Sequence, residues 1–423
     1  IEEGRIIWHD GHGHVGSVSS APISADTAFQ AASMSKAVAA LGALVLAERG
    51  LLDLDAPVNQ YLGRWKIPND HEGQADRITM AHLLSHTAAL TVHGFPGYSP
   101  DEILPSIVQI LDGEAPANTA PVRIDGTVGA AFRYSGGGYT VAELVMEEVS
   151  GKDFASLMDE LVLGPLGMDR SSFAQPAPQE ITNRAAPAVD GRGRPHDDRW
   201  HVYPEQAAAG LWTTAEDYAA FLLGLLAALD GVEGALISKE LAERMITPIC
   251  DGYGLGVESS GKGIATVIRH GGSNYGYKCM FAFNPVRQSG LVVMTAADNG
   301  YTVASEIIRG ATIDLDLGEA KQEGIDIRPL PENYEALAGT WRVEEFDEEF
   351  RIFVDEAQLW IEDEATAPWQ LHHIGNQTFR SLEERAVFSP NFDEAGIVTS
   401  LEMSVGPETA TAERKATPRA PTP

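Results

Sequence analysis

The stretch that decides the fold reads SMSKAVAALGALVLA and spans residues 33 to 47. After Lys36 it is apolar with no polar face, which is the pattern of a helix buried on all sides. Gly50 follows at the place where glycine commonly ends a helix. Residues three apart on a helix share a face, so the Lys36 ammonium is predicted to fold back to the Ser33 hydroxyl. The stretch therefore predicts a rigid, water-poor helix with a serine and a lysine together at its start.

The Ser-x-x-Lys spacing is a signature of nucleophilic catalysis. A serine hydroxyl is unreactive until a neighbouring group takes its proton, and burial lowers a lysine pKa enough to help. Ser259 and Lys262 match the same pattern, but they lie between two strand-like runs joined by glycines and are predicted to form a hairpin turn. A simple N-cap role for Ser33 is the alternative. It is favoured only if no other motif in the chain fits catalysis.

Two further motifs fit. Tyr134 opens a glycine-rich loop, FRYSGGGY at residues 132 to 139, ahead of a helical run. Consecutive glycines let backbone approach closely and adopt positive φ, which a catalytic loop requires. The second motif, RHGGS at residues 269 to 273, ends a β-rich run. Its small residues would let a substrate lie along the strand edge, with its carbonyl directed at a backbone N–H group.

With these motifs in this order, the chain resembles the serine hydrolases related to class C β-lactamases and D,D-peptidases, often called CubicO-type proteins. The resemblance covers roughly residues 1 to 312. Beyond the three motifs it rests on DTAF at 26–29, GLLDLDAPV at 50–58, ITMAHLLSHT at 78–87, PLGM at 165–168 and AGLWTTAED at 209–217.

The resemblance implies Ser33 as nucleophile and Lys36 and Tyr134 as the pair that handles its proton. It implies an oxyanion hole made by the backbone N–H groups of Ser33 and Ser273. It also sets His270-Gly271-Gly272 in the place of the group's Lys-Thr-Gly strand, where substrate binds. Acyl transfer from a small-molecule or peptide substrate then requires no metal and no cofactor. Which member of the Lys36 and Tyr134 pair is the base stays open at this point.

Two departures from the group bear on the substrate. Gly136 stands two residues after Tyr134, where β-lactamases of this group carry an asparagine, so one amide donor to the substrate is missing. His270 replaces the group's lysine and removes a permanent cation. An esterase or amidase/peptidase is therefore the first hypothesis, and a D,D-peptidase or weak β-lactamase the second. The third, a non-catalytic binding protein on the same fold, is disfavoured because Ser33, Lys36 and Tyr134 are all present.

The amino-acid composition limits the classes of partner that this protein can bind. The 61 acidic residues outnumber 30 Lys and Arg, for a net charge of -31, which argues against nucleic acid. No apolar run reaches the ~20 residues of a membrane span. Cys250 and Cys279 are the only cysteines, so at most one disulfide is possible. From the resemblance we expect a missing N-terminal segment and a periplasmic or secreted location. The oligomeric state is not predicted.

The predicted fold class is α/β (α+β): an antiparallel sheet flanked by helices with a helical insertion, plus a small C-terminal antiparallel β-barrel or sheet. The C-terminal part resembles a lipocalin-like domain. Strands of the main sheet are expected near 253–257, 265–269, 278–283 and 291–295. The predicted organisation is a hydrolase domain at 1–313 with its insertion at about 50–235, a linker at 314–332, the β domain at 333–406 and a disordered tail at 407–423.

Overall fold

The computed structural model describes residues 1–15, 21–69, 71, 73–315, 317, 327–343, 348–363, 368–381, 386–393, 397–405 and 408–415. The chain forms two compact units. The first comprises Ile1–Val189 with Pro195–Ala320, and the second Asp190–Arg194 with Lys321–Pro423. Residues 316 and 318–326 of the predicted linker, and residues 407 and 416–423 of the predicted tail, lie outside the described residues.

The helices of the first unit include one long helix that is buried almost throughout. In chain order they are α1 (Ser35–Glu48), α2 (Met80–Leu84), α3 (Ile107–Asp112), α4 (Gly136–Ser150), α5 (Phe154–Met158), α6 (Gln179–Thr182), α7 (Gln206–Ala209), α8 (Ala215–Leu229), α9 (Lys239–Ile246) and α10 (Gly300–Leu315). A 3-10 helix, Ala32–Met34, leads directly into α1.

Helix α1 is buried along almost its whole length, as its uniform apolar sequence predicts. Every residue from Ser35 to Leu46 is buried. The helix ends before Gly50, whose φ of 71° is the left-handed conformation that glycine adopts readily. Both sequence predictions for this helix are confirmed. The packing around it fixes the first residues of α1, and with them the Ser33 and Lys36 side chains, on a rigid element.

The strands of the first unit form two sheets. A two-stranded sheet pairs β1 (Phe29–Gln30) with β2 (Trp212–Thr213) just ahead of Ser33. The main sheet is antiparallel in the order β3-β4-β5-β6. Its strands are β3 (Glu258–Ser260), β4 (Val267–Asn274), β5 (Tyr277–Asn284) and β6 (Ser289–Thr295). Strand β3 pairs only with Val267–Arg269, so β3 does not cover the edge of β4 from His270 onward.

One predicted strand is wrong. Residues 253–257 do not form a strand, and regular pairing begins only at Glu258. The reason is Gly256, which has a φ of 85° and lies so close to α1 that a Cβ atom there would be 2.6 Å from the Ala40 Cβ. The chain bends at this glycine to pack against the helix. The turn predicted at Ser259–Lys262 does join two antiparallel strands, β3 and β4.

The C-terminal unit is a closed antiparallel barrel in the order β10-β11-β12-β13-β14-β7-β8-β9. Its apolar core includes Trp341, Leu359 and Leu401. The strands are β7 (Gly339–Val343), β8 (Glu348–Asp355), β9 (Gln358–Asp363), β10 (Trp369–Gly375), β11 (Thr378–Ser381), β12 (Val387–Phe392), β13 (Val398–Val405) and β14 (Glu408–Arg414).

The prediction of a disordered segment from residue 407 is wrong for the part that the structure describes. Strand β14 (Glu408–Arg414) pairs with β13 and, through Glu413 and Arg414, with β7, so it closes the barrel. Threonine and alanine alternate here, and Ala412 is fully buried in the core. A period of two with a small buried residue is a strand pattern. The richness in Ala and Thr masked it at the level of composition.

Two other expectations have structural counterparts. Cys250 and Cys279 are free thiols, so the one disulfide that the sequence permits is not formed. Cys279 instead donates to the Gln30 carbonyl oxygen at 3.1 Å. Of the helices in the described ranges, none is both long and apolar enough to cross a membrane.

Candidate active site

Ser33 lies on the 3-10 turn that feeds helix α1. Its neighbours Ala32 and Met34 are fully buried, whereas Ser33 itself is only half-buried. Ala32 has a φ of 49°, a conformation that residues other than glycine rarely adopt. Such strain persists only where the surrounding structure holds it, and it is common at functional sites. The turn presents the Ser33 side chain at the edge of an otherwise closed core.

Lys36 reaches the Ser33 hydroxyl, as the helical spacing predicts. Lys36 Nζ lies 2.9 Å from Ser33 Oγ and 2.8 Å from the carbonyl oxygen of Ala208 on α7. The side chain is buried, and desolvation lowers the pKa of Lys36 to about 7. Burial disfavours the charged ammonium because the apolar surroundings cannot replace its hydration. At neutral pH a substantial fraction of this amine is therefore uncharged and able to accept a proton.

The other serines of the two Ser-x-x-Lys motifs have different surroundings. Ser35 is buried on α1, and its hydroxyl accepts the Leu211 N–H at 3.0 Å. Ser259 is buried in β3, while Lys262 is exposed in the following turn. Ser33 is therefore the serine of these motifs that is both accessible and adjacent to a buried amine.

Tyr134 lies just before the N-cap residue Ser135 of helix α4. Lys36 Nζ is 5.0 Å from the centre of the Tyr134 ring. Burial raises the pKa of the Tyr134 phenol above its ordinary value, and a hydrogen bond with Ser33 opposes this rise only in part. The phenol is therefore protonated at neutral pH. The structure brings Ser33, Lys36 and Tyr134 together, although they are separated by about a hundred residues in the chain.

The glycines after Tyr134 allow the start of helix α4 to approach a neighbouring loop closely. A Cβ atom on Gly137 would lie 2.7 Å from Val122 Cγ2 and 2.9 Å from the Thr91 carbonyl oxygen. The expected positive φ is wrong, because Gly136 begins helix α4 and none of the three glycines has a positive φ. Ser135 caps this helix by accepting the Gly138 N–H at 2.9 Å. The glycines are needed because the helix start packs directly on a neighbouring loop.

Gly136 faces a filled space rather than an empty one. A Cβ atom there would lie 2.8 Å from Phe95 Cε2 and 3.1 Å from the His93 carbonyl oxygen. Phe95 therefore occupies the direction in which an asparagine side chain would extend. The missing amide donor noted in the sequence is matched by an apolar ring in the structure.

Strand β4 forms the other wall of the site. Gly272 lies so close to the segment before Ser33 that a Cβ atom would be 2.2 Å from the Ala31 carbonyl oxygen. Gly271 has more room, since its Cβ would be 3.1 Å from the Tyr301 hydroxyl. Ser273 follows as an exposed residue on the same strand. Close approach at Gly272 thus brings the edge of β4 alongside the Ser33 turn.

His270 is buried and directed into the protein. Its Nε2 is 2.8 Å from the Tyr253 hydroxyl and its Nδ1 is 2.5 Å from the Gly271 carbonyl oxygen. Because a carbonyl only accepts, Nδ1 carries the proton and Nε2 accepts from Tyr253. Desolvation and the nearby Lys36 charge lower the pKa of His270 to about 3. The imidazole is neutral, with both nitrogens engaged by protein groups, so it offers no cation to a substrate.

Sequence reasoning missed three contributors: the Ala208 carbonyl, the Phe95 ring and the His86 side chain. The Ala208 contact is made by a backbone atom, so no residue type signals it. Phe95 lies in a loop, where an aromatic residue serves packing as often as recognition. His86 belongs to the quoted ITMAHLLSHT motif, but its ring lies 4.2 Å from the Tyr134 ring, centre to centre, and that proximity has no signal in the sequence.

The comparison with protein families agrees with this geometry. The model of the Beta-lactamase family matches residues 1–311. The chain belongs to the Beta-lactamase family. This membership supports the predicted class of enzyme, a serine hydrolase of the β-lactamase-related type.

Among curated proteins, Esterase EstB of Burkholderia gladioli is 30% identical over 198 residues, which are 45% of this chain and 49% of the esterase. The chain spans about half the length of the curated relatives it matches.

Solved structures support the fold. The octameric penicillin-binding protein homologue from Pyrococcus abyssi has a TM-score of 0.59 and 19% identity, over 98% of this chain and 94% of that one. The D-amino acid amidase from Ochrobactrum anthropi SV3, complexed with L-phenylalanine, has a TM-score of 0.53 and 19% identity, over 67% of this chain and 80% of that one. At these identities the likeness shows the fold alone, and the predicted fold class is confirmed.

Proposed function

We propose that this protein is a serine hydrolase that cleaves an ester or amide bond of a small substrate through an acyl-enzyme on Ser33. The observation that carries the proposal is the 2.9 Å contact between Lys36 Nζ and Ser33 Oγ, made by a lysine whose pKa is lowered to about 7. A buried, partly neutral amine at this distance is a general base for a serine nucleophile. The names of the esterase and the amidase among the similar proteins support the same reaction class.

Lys36 is the better candidate for the base. The Ala208 carbonyl can only accept, so Lys36 Nζ donates one N–H to it. The lone pair of the neutral amine is then available to the Ser33 hydroxyl. Tyr134 has a raised pKa and keeps its proton at neutral pH, which suits a donor better than a base. These opposite shifts separate the two roles that the sequence leaves open.

The reaction proceeds in two halves. Ser33 Oγ attacks the substrate carbonyl as its proton moves to Lys36, and the carbonyl oxygen becomes an oxyanion. The N–H groups of Ser33 and Ser273 would stabilise that charge, each by on the order of 3 kcal/mol. The Tyr134 phenol gives its proton to the departing alkoxide or amine and regains one through Lys36. Water then attacks the acyl-enzyme by the reverse relay and releases the acid.

The walls of the site favour esters and simple amides over β-lactams. Gly136 has no amide to donate, and Phe95 fills the adjacent space. His270 is neutral and engaged with Tyr253 and Gly271, so the substrate carboxylate of a β-lactam finds no cation there. We therefore propose that the protein is a CubicO-type esterase or amidase, with a D,D-peptidase or weak β-lactamase as the alternative.

A fluorophosphonate probe tests the nucleophile. The wild-type protein should be labelled once, on Ser33, and Ser33→Ala should lose both labelling and hydrolysis of p-nitrophenyl esters. The matched control is Ser259→Ala, which removes the serine of the other Ser-x-x-Lys pattern and should label at the wild-type rate. Labelling that maps to Ser259, or that survives in Ser33→Ala, would overturn the assignment.

A further inference from the structure

His86 is a buried histidine that the proposed reaction does not use. It follows helix α2 (Met80–Leu84), is 1% exposed and has a φ of 56°. A positive φ is uncommon for a residue of this size, so the local backbone is held in place by its surroundings. Its ring lies against the ring of Tyr134.

The backbone N–H groups of the two residues that flank Tyr134, Arg133 and Ser135, both donate to this one residue. The Arg133 N–H donates to the His86 carbonyl oxygen at 2.7 Å. The Ser135 N–H donates to His86 Nδ1 at 3.0 Å. The His86 ring also lies against the Tyr134 ring, with centres 4.2 Å apart and planes at 32°. His86 therefore holds the backbone on each side of Tyr134 and one face of its ring.

The hydrogen bond from Ser135 fixes the state of the imidazole. Nδ1 accepts, so it carries no proton, and the neutral ring has its proton on Nε2. Among the described residues Nε2 has no hydrogen-bond partner. Phe132 lies nearly perpendicular to the His86 ring at 5.7 Å between ring centres. Burial first, and then the charge of Lys36, lower the pKa of His86 well below its ordinary value.

We infer that His86 is a positioning residue, which holds the Tyr134 phenol in line with Ser33 through its Nδ1 acceptor and its ring face. The inference rests on the proposed function, because it assigns His86 a part in the proton transfer through Tyr134. Residues after Tyr134 are braced separately, since Gly136 and Gly137 donate to the carbonyls of His93 and Val92. Within Arg133–Ser135, His86 accepts the backbone N–H groups of Arg133 and Ser135, while the Ser135 hydroxyl donates to the Thr91 carbonyl oxygen at 2.7 Å.

Two polar variants test whether the hydrogen-bond acceptor at His86 Nδ1 matters, or only the space that the side chain fills. In His86→Asn the side-chain oxygen lies near the position of Nδ1, and asparagine tolerates a positive φ. In His86→Gln the acceptor lies near the position of Nε2 instead. A displacement of about 1 Å at a catalytic group costs roughly 10² in rate. We expect kcat on a p-nitrophenyl ester to stay within about tenfold of wild type for His86→Asn and to fall by about 10² for His86→Gln, with KM nearly unchanged in both.

A double-variant cycle tests whether His86 acts through Tyr134. In a Tyr134→Phe background the phenol is already absent, so adding His86→Gln should lower kcat no further. If the losses in kcat from Tyr134→Phe and His86→Gln multiplied in the double variant, the inference would be overturned. Equal activity of His86→Asn and His86→Gln would also overturn it. Hydrogen exchange at the Ser135 amide gives a readout without substrate: exchange should be faster in His86→Gln than in His86→Asn, and equal rates would also overturn it.

Failure of the inference is distinguishable from failure of the proposed function. If the wild-type protein is labelled by the phosphonate at Ser33 but the His86 variants behave alike, only the role of His86 is wrong. If wild-type Ser33 is not labelled at all, the proposed function fails. In that case the hydrogen-exchange comparison still reports whether His86 holds the backbone beside Tyr134.

Discussion

Lys36 Nζ donates a hydrogen bond to the carbonyl oxygen of Ala208 at 2.8 Å, across 172 positions of the chain. The contact fixes the position of the amine beside Ser33, and burial of the side chain lowers its pKa to about 7, so that it can serve as a base. An ammonium in this position would have to satisfy its N–H groups in an apolar surrounding, which favours the neutral amine. The carbonyl accepts one N–H of the amine, whose lone pair remains available to the Ser33 hydroxyl.

The pH dependence of hydrolysis should follow Lys36. The reactive form is the neutral amine, and the pKa is about 7, so the base is increasingly protonated as the pH falls below this value. We expect kcat/KM for a p-nitrophenyl ester to drop by about tenfold per unit below pH 7 and to level off above about pH 8. Lys36→Arg cannot lose its proton near neutral pH and should cost about 10² to 10⁴ in rate.

Two other titratable side chains, whose pKa values burial shifts, serve as controls. Burial raises the pKa of Glu205 to about 8, and burial together with Lys36 lowers the pKa of His93. Glu205→Gln and His93→Gln should each keep the acidic fall near pH 7. If either variant lost the decrease in kcat/KM below pH 7 while Lys36 was unchanged, a residue other than Lys36 would be the base.

The role of Tyr134 is open to a leaving-group test. Tyr134→Phe keeps the ring against His86 and removes only the hydroxyl, so the thermal midpoint should change little. A p-nitrophenolate leaves as the anion and needs no proton, whereas an alkyl amine must be protonated before it leaves. If Tyr134 donates to the leaving group, kcat should fall by about 10² to 10⁴ on an amide and by clearly less on the activated ester. Equal losses on both substrates would contradict the donor role.

The two glycines of β4 offer a matched pair. Gly272→Ala would set a Cβ atom 2.2 Å from the Ala31 backbone oxygen, so strand and nucleophile turn must separate. We expect a loss of about 1–3 kcal/mol in the free energy of unfolding, the usual cost of overpacking. The rate should fall by at least about 10², since the site itself is displaced.

Gly271→Ala is the control for this pair. It meets only the end of the Tyr301 side chain, at 3.1 Å, and should be tolerated better in both measurements. Chemical denaturation and ester hydrolysis measured side by side give the comparison. If both variants lose the same amount, the tight contact at Gly272 has no special part in the site.

The wild-type protein should strongly prefer a small activated ester to a β-lactam. Two polar contacts are missing at Gly136 and His270, and each is worth roughly 1–3 kcal/mol. Together they predict a ratio of kcat/KM for p-nitrophenyl acetate over nitrocefin of at least about a hundredfold. Comparable efficiency on the two substrates would contradict this and would favour the β-lactamase alternative.

Introducing an amide at position 136 should fail unless Phe95 is also changed. Gly136→Asn would bring a Cβ atom within 2.8 Å of the Phe95 ring, so this variant alone should lose stability and gain no activity on nitrocefin. Gly136→Asn combined with Phe95→Ala gives the amide room, and we expect a higher nitrocefin rate relative to the ester. Phe95→Ala alone is the control for the space created.

The sequence predicted local elements well where one strong pattern dominated. Helix α1 and the turn between β3 and β4 follow from apolar periodicity and from glycine placement. The same reasoning failed at residues 253–257 and at β14. In the first case Gly256 lets the chain turn against α1, and in the second small alternating residues fill a barrel whose closure depends on strands far apart in the chain. Both outcomes are decided by neighbours that local pattern does not include.

The sequence by itself determined which residue types are available to the site and their order: the Ser33 and Lys36 pair on a buried helix, Tyr134 at a glycine-rich helix start, and a glycine pair on β4. These follow from spacing, which fixes which side chains share a face. Only the tertiary structure decided their chemical state. The pKa of Lys36 falls because of burial, and the phenol of Tyr134 is flanked by a histidine 48 positions earlier in the chain. Desolvation and contacts between distant segments exist only once the chain has packed.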